Sequence, residues 1–363
     1  DIQAIKIARP LVHVSWNTGG FSKLEGVFIP NFTGHRFAQT GRWAPAQYSA
    51  MVNLAEQEAL YQIKQRLPSQ IGLISTGTII DSLFSQSSGD FTEFSTEFPD
   101  TSGLEHFQAG LRFSTTVGSA DIGAQYFYGH LFMPGYTING INAFADDLVS
   151  NSKNQSLLES LAGLSLSDLL NLMANPNPPD FYTGNYKLIS PQIKYNRYHQ
   201  LGLDYAQVLF GFNVRAEFAV HLTEDLKGDD GSVRNPFLGW SLGFDRDLFW
   251  GLNANVQCNE TIRLMNDKVG DNPVYDCEAG TDITSTRITM QLSKKFLKDA
   301  LETKAIVIWD IENSDCYIIP AIIWSIKDLT AELSAGIFAG KESGDLGQYW
   351  ENSFIKLGLK YSF

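Results

Sequence analysis

The residues able to do chemistry in this chain are charged side chains set two apart along short alternating runs, not a nucleophile beside its base. Arg215 and Glu217 share one such run with His221. Arg112, Lys194, Asp204, Arg287, Gln291, Lys304, Glu332, Lys356 and Lys360 occupy polar positions of other runs in the same way. Side chains two apart on a strand project from one face, so each run would present its charges to one side. There is no Gly-x-Ser-x-Gly elbow, no glycine-rich phosphate loop and no pair of histidines at metal-ligand spacing. A hydrolytic dyad would need a Ser or Asp within hydrogen-bond reach of one of the six histidines. Hydrolysis is the least favoured activity, and the sequence implies no catalytic group, cofactor or metal. Two acidic clusters, Glu224 to Asp230 and Asp267 to Asp282, lack the ligand spacing of a known calcium loop and read as solvated surface.

The elements that must position these charges are strands. Phe363, Tyr361, Leu359, Leu357 and Ile355 alternate with Ser362, Lys360, Gly358 and Lys356. The same period of two runs through Phe212–Leu222, Leu252–Asn259, Phe107–Ser114 and Leu329–Ala339. The runs last about 9–13 residues, the length a tilted membrane-crossing strand requires and more than an ordinary soluble strand of about 5–6. Thirteen are legible, near 4–16, 21–31, 104–117, 121–134, 187–205, 210–222, 236–247, 251–265, 283–296, 300–311, 316–326, 328–340 and 350–363. Closed single-chain bacterial barrels have even strand numbers, which favours fourteen, or sixteen if 72–85 also crosses.

The connections alternate as well. Short turns fall at 17–20, 118–120, 210–211, 247–251, 298–299 and 326–328, and long loops at 32–103, 135–186, 223–235, 266–282 and 340–349. Short turns at one end and long loops at the other are the asymmetry expected of an outer-membrane barrel. The two longest loops carry helical patterns over Pro45–Leu67 and Ser156–Met173, each closed by a proline. One domain spanning 1–363 is expected: an all-β, antiparallel, up-and-down transmembrane β-barrel of about fourteen strands, with helices in its long extracellular loops.

Composition agrees with this. The net charge of −13 excludes nucleic acid as a partner, since phosphate binding needs clustered Lys and Arg. No run approaches the ~20 apolar residues of a membrane helix, but alternating strands average to neutral hydropathy while one face stays apolar. Cys258 and Cys277 can bridge in an oxidising compartment, or all three cysteines are unpaired. The chain opens on Asp1-Ile2-Gln3, as an exported protein would after removal of its signal peptide, and as a cytosolic one would too.

The ending Lys360-Tyr361-Ser362-Phe363 resembles the C-terminal signal of bacterial outer-membrane proteins. In that family a terminal aromatic, preceded by apolar residues at alternate positions, is read by the barrel-assembly machinery. The resemblance gives that role to Phe363, Tyr361, Leu359 and Leu357. The stretch Pro10–Pro45, with Leu24-Glu25-Gly26-Val27 and Gly41-Arg42-Trp43-Ala44-Pro45, is similar to porin-like barrels, including spirochaete ones. These likenesses imply a location in the bacterial outer membrane, with membrane lipid, the assembly machinery and small-molecule solutes as partners. Diffusion or facilitated uptake of small solutes is the expected function, with Arg112, Lys194, Asp204, Arg215, Glu217, Arg287, Lys304, Glu332, Lys356 and Lys360 lining the pore. A surface adhesin or a structural barrel with a closed lumen is the alternative.

Overall fold

Tight turns with left-handed backbone set one end of the fold. At Phe210-Gly211 both residues have positive φ, 53° and 78°, as a two-residue hairpin turn requires to match the twist of its strands. In the computed structural model, residues 9–34, 41–46, 99–153, 190–270 and 276–362 are described, with scattered positions between these stretches. Their strands are β1 (Val12–Gly19), β2 (Ser22–Ile29), β3 (Gln108–Val117), β4 (Ala120–His130), β5 (Arg197–Leu209), β6 (Phe212–Thr223) and β7 (Phe237–Asp247). They continue with β8 (Leu252–Arg263), β9 (Thr284–Phe296), β10 (Leu301–Asp310), β11 (Asp315–Ile326), β12 (Leu329–Ala339) and β13 (Phe354–Tyr361). Each pairs with the next to give one antiparallel sheet of 13 strands in chain order, so the fold is all-β and up-and-down.

Register fixes which side chains share a face. Glu217 opposes Asp204 on β5 and Ser241 on β7, while Phe218 opposes Leu203 and Trp240. Leu333 opposes Leu357, and Ser334 opposes Lys356. One face is therefore a field of apolar side chains, of which Phe218 is 44% exposed, Leu333 50% and Leu357 70%. The other carries the polar residues. A soluble protein buries such an apolar field against a second layer, and here the field faces outward. Glu260 is an exception, a carboxylate on the apolar face close to the long-loop end. It accepts a 2.5 Å hydrogen bond from Trp240 Nε1, so a buried-type polar group and its aromatic partner meet at the height where an interfacial girdle would lie.

The long-loop ends of the sheet meet one another. Ala46 N donates to Gln348 Oε1 at 3.0 Å, Asn352 Nδ2 donates to the Arg42 carbonyl at 2.8 Å, and Trp43 packs on Phe338 and Tyr349. These contacts join the loop after β2 to the loop between β12 and β13. Ten strand spacings separate those strands, roughly 48 Å were the sheet flat, so the sheet curls. Among the described residues no ladder joins β1 to β13, and β1 is exposed along its whole length.

Several expectations change. The thirteen described strands of the large sheet agree with an expected barrel of about fourteen, but among the described residues the first strand is Val12–Gly19. The expected strand 187–205 is two elements. Ser190–Lys194 pairs with Gly135–Asn139 in a separate two-stranded antiparallel ladder, and β5 starts only at Arg197. The break falls at Tyr195-Asn196, both buried: the Tyr195 carbonyl is bound by the His130 ring at 2.7 Å, and its own ring packs on Phe32. The second long loop carries a helix at Ile141–Ser150, entered through Gly140 at φ 81°, that the leucine-rich pattern downstream had overshadowed. The expected helices at 45–67 and 156–173 and the stretch 72–85 lie outside the described residues, save isolated positions and a two-residue ladder of Gln70–Ile71 with Ile74–Ser75.

Candidate functional site on the inner face

The polar face is organised by three consecutive rows of the ladder. The middle row runs Arg112, Gln125, Gly202, Ala219, Gly239 and Thr261 across β3 to β8. The small residues Ala219 and Gly239 leave a dent in the wall, while the Gln125 side chain covers Gly202 beside them. Asp204, Glu217, Ser241 and Asn259 stand along the row on the short-turn side, and Gln200 and His221 on the other side. The result is a recess of about 470 Å³ whose floor is backbone and whose rim is polar. A Cβ added at Gly239 would find nothing nearer than 4.0 Å, which shows how open the floor is.

Charges beside the recess are tied together. Arg112 donates to Asp204 at 2.8 Å across β4, where the intervening Gly123 makes room for the carboxylate. Arg112 also lies 3.6 Å from Glu25, which accepts from Lys23 at 2.7 Å and contacts His13 at 3.2 Å. Mutual pairing lowers the cost of holding these groups on a half-enclosed wall. Glu217 forms no ion pair among the described residues. A second recess of about 240 Å³ adjoins the first through Arg112 and Gln125. Above the rim, His221 stacks on Phe237 at 4.2 Å and on Tyr198 at 5.4 Å, an aromatic row leading toward the loops.

The remaining expected residues fall in three places. Arg215 is on the inner face one row toward the short turns from Glu217. Arg287 is inside at the loop end, held by Asp310 at 3.1 Å and by Asp345 at 2.6 Å, the latter from the loop between β12 and β13. Lys304, Glu332, Lys356 and Lys360 share the inner face of β10 to β13, with Lys356 opposite Ser334 and Lys360 opposite Thr330. Lys194 is not on the wall. It sits in the separate two-stranded ladder and pairs with Glu224 at 2.6 Å. Tyr361, Leu359 and Leu357 lie together on the apolar face of β13, while Phe363 is outside the described residues. The recess itself escaped sequence reading because its floor and walls come from several strands, whose relative register is not visible along any one of them. The signal available was Gly202 and Gly239 interrupting otherwise regular runs.

The loop acids have work of their own. Asp225 accepts from the backbone of Gly228 and Asp230, and Asp276 from that of Gly270 and Glu278. Glu278 receives the Asn235 N–H at 2.8 Å and Arg234 at 3.4 Å, locking the loop after β6 to the loop after β8. Cys277 is enclosed between these loops, and burial beside Glu278 and Asp276 pushes its thiol up to about 12. Cys258 is on the apolar face of β8, and all three cysteines are free. The histidine partners are Glu25 for His13, the Tyr126 hydroxyl for His199 and the Tyr195 carbonyl for His130.

No protein-family model matches this chain, and no curated protein matches it. Among solved structures it is similar to the outer membrane channel DcaP of Acinetobacter baumannii, at 15% identity and a TM-score of 0.28. That similarity covers 71% of this chain and 85% of the other. At that score no residue role or solute passes from one chain to the other.

Proposed function

We propose that the chain is an outer-membrane β-barrel channel through which small solutes diffuse. The observation that carries this reading is the division of one curled, thirteen-stranded sheet into an exposed apolar face and an inner face bearing charges of both signs. The apolar face matches the lipid-facing band of a transmembrane barrel. A barrel of thirteen or more strands is too wide for its own side chains to fill, so the inner face meets water, a plug or inserted loops. The open recess beside Glu217 and Asn259 supports a wet interior. Arg112, Asp204, Arg215, Glu217, Arg287, Lys304, Glu332, Lys356 and Lys360 then line the pore. Tyr361, Leu359 and Leu357 present the assembly signal to the machinery and afterwards to lipid.

The test is reconstitution into a planar bilayer. Discrete conductance steps from protein that migrates faster on gels unheated than boiled are the expected result. A heat-modifiable protein that stays silent and admits no small solute into liposomes would make the adhesin or the closed structural barrel the better reading.

A further inference from the structure

We infer that the glycine-floored recess on β5 to β8 is a binding site for a hydroxyl-rich solute of about disaccharide size. The channel reading supplies the route by which such a solute arrives, but the recess stands on its own geometry. Its floor, Ala219 and Gly239, lies on two adjacent strands, and beside them the Gln125 side chain covers Gly202 and forms one wall. The volume of about 470 Å³ admits a pyranose ring with part of a second.

The rim selects the chemistry. Gln125 and Asn259 carry amides that both donate and accept, and Ser241 and Thr261 add hydroxyls. A sugar hydroxyl also donates and accepts, so it satisfies such a rim where a group of one kind leaves half of it unmade. Asp204 and Glu217 repel anions. The Arg112 cation is already committed to Asp204 and Glu25, leaving no free Lys or Arg among the described lining residues to hold a carboxylate. Glu217, with no ion pair among the described residues, accepts charge-assisted hydrogen bonds from hydroxyls without requiring a cation. His221, held between Phe237 and Tyr198, closes one side and turns its Nε2 edge toward the floor, 4.0 Å from the Cβ position of Gly239, where it can share a hydrogen bond with a hydroxyl.

Two glycines on one strand provide a matched test. Gly239 forms part of the floor; Gly243 lies two rows away on the same face, outside the recess, and a Cβ there meets nothing nearer than 3.9 Å. Sucrose binding to the detergent-solubilised full chain is measured by calorimetry, with a polyethylene glycol of equal size and the diamine putrescine as comparison probes. Sucrose is expected to bind saturably and the glycol not at all. Gly239→Val should weaken sucrose at least about tenfold, and Gly243→Val less than about twofold. Asn259→Ala, which removes a donor without filling space, should weaken it several-fold, and each variant is first shown to be heat-modifiable. Sucrose binding by a protein that does not conduct would uphold the site and remove the channel. A conducting protein for which sucrose and the glycol are indistinguishable, or which binds putrescine but not sucrose, would overturn the site and leave the channel.

Discussion

The inner face has two sectors that use charge differently. On β1 to β6, His13, Lys23, Glu25, Arg112 and Asp204 form a connected set with separations of 2.7 to 3.6 Å. On β9 to β13, Lys295, Lys304, Lys356 and Lys360 face the same way beside Glu302 and Glu332, yet no ion pair joins them among the described residues. The first sector holds its side chains in defined positions and so can build a shaped surface such as the recess. The second is tied only at its loop end, where Arg287 meets Asp310 and Asp345, and leaves its lysines to water, which gives the rest of it a local field without a shape. Geometry and electrostatics are thus separated around one wall, and each can be perturbed without the other.

Both sectors depend on the opposite face being apolar, and the largest effect is expected there. Phe218 backs the first sector and Leu333 the second, each in the middle of its strand and outward-facing. Replacing either by Arg should lower folding stability in lipid vesicles by ~2–4 kcal/mol, the penalty of a cation on the lipid face near the midplane. Equal losses in the two sectors would show that the whole sheet is lipid-backed. A loss at Phe218 alone would mean that β12 is covered by protein.

Within the wall, breaking the connected sector should cost more than altering the open one. Arg112→Ala leaves Asp204 and Glu25 facing each other without their shared cation. The guanidinium side chain is 39% exposed, so solvent screens much of the loss and about 1 kcal/mol is expected. Denaturant titration checks this. Asp204→Asn in the Arg112→Ala background should recover part of the loss, because it removes one of the two stranded carboxylates. No recovery would mean that Arg112 acts through packing alone.

How much of this division was legible in the sequence differs between the sectors for a physical reason. Period-two alternation puts Lys356 and Lys360 on one face and Leu357 and Leu359 on the other, a division that the register repeats because strand geometry alone sets facing. It also placed Arg112, Asp204 and Glu217 on the polar side. It did not show that Arg112 reaches Asp204 over Gly123, because that contact is a property of register among three strands. Lys194 went astray for a related reason: alternation continues through Tyr195-Asn196, where the ladder itself stops. The loop acids read as surface charge, whereas Asp225 and Asp276 each spend their oxygens on backbone N–H groups of their own loops, local bonds that no spacing rule captures.

The smallest effect on stability, and the most specific effect on function, is expected in the open sector. Lys356 lies opposite Ser334 and makes no ion pair among the described residues, so Lys356→Gln removes a charge without stranding a partner. Stability should stay within about 0.5 kcal/mol, as for an ordinary solvated substitution. The field in the pore should change nonetheless, since fixed charges lining a water-filled path set which ions enter it. Reversal potentials under a salt gradient should therefore shift toward cations in Lys356→Gln, and further in Lys356→Glu. Lys304, three strands away on the same face, should add to that shift in a double variant. The same substitution read in the connected sector, Arg112→Gln, should instead move stability and selectivity together. If the lysine variants leave the reversal potential where it was while the protein still conducts, ions do not pass along β10 to β13, and the conducting path runs beside the recess.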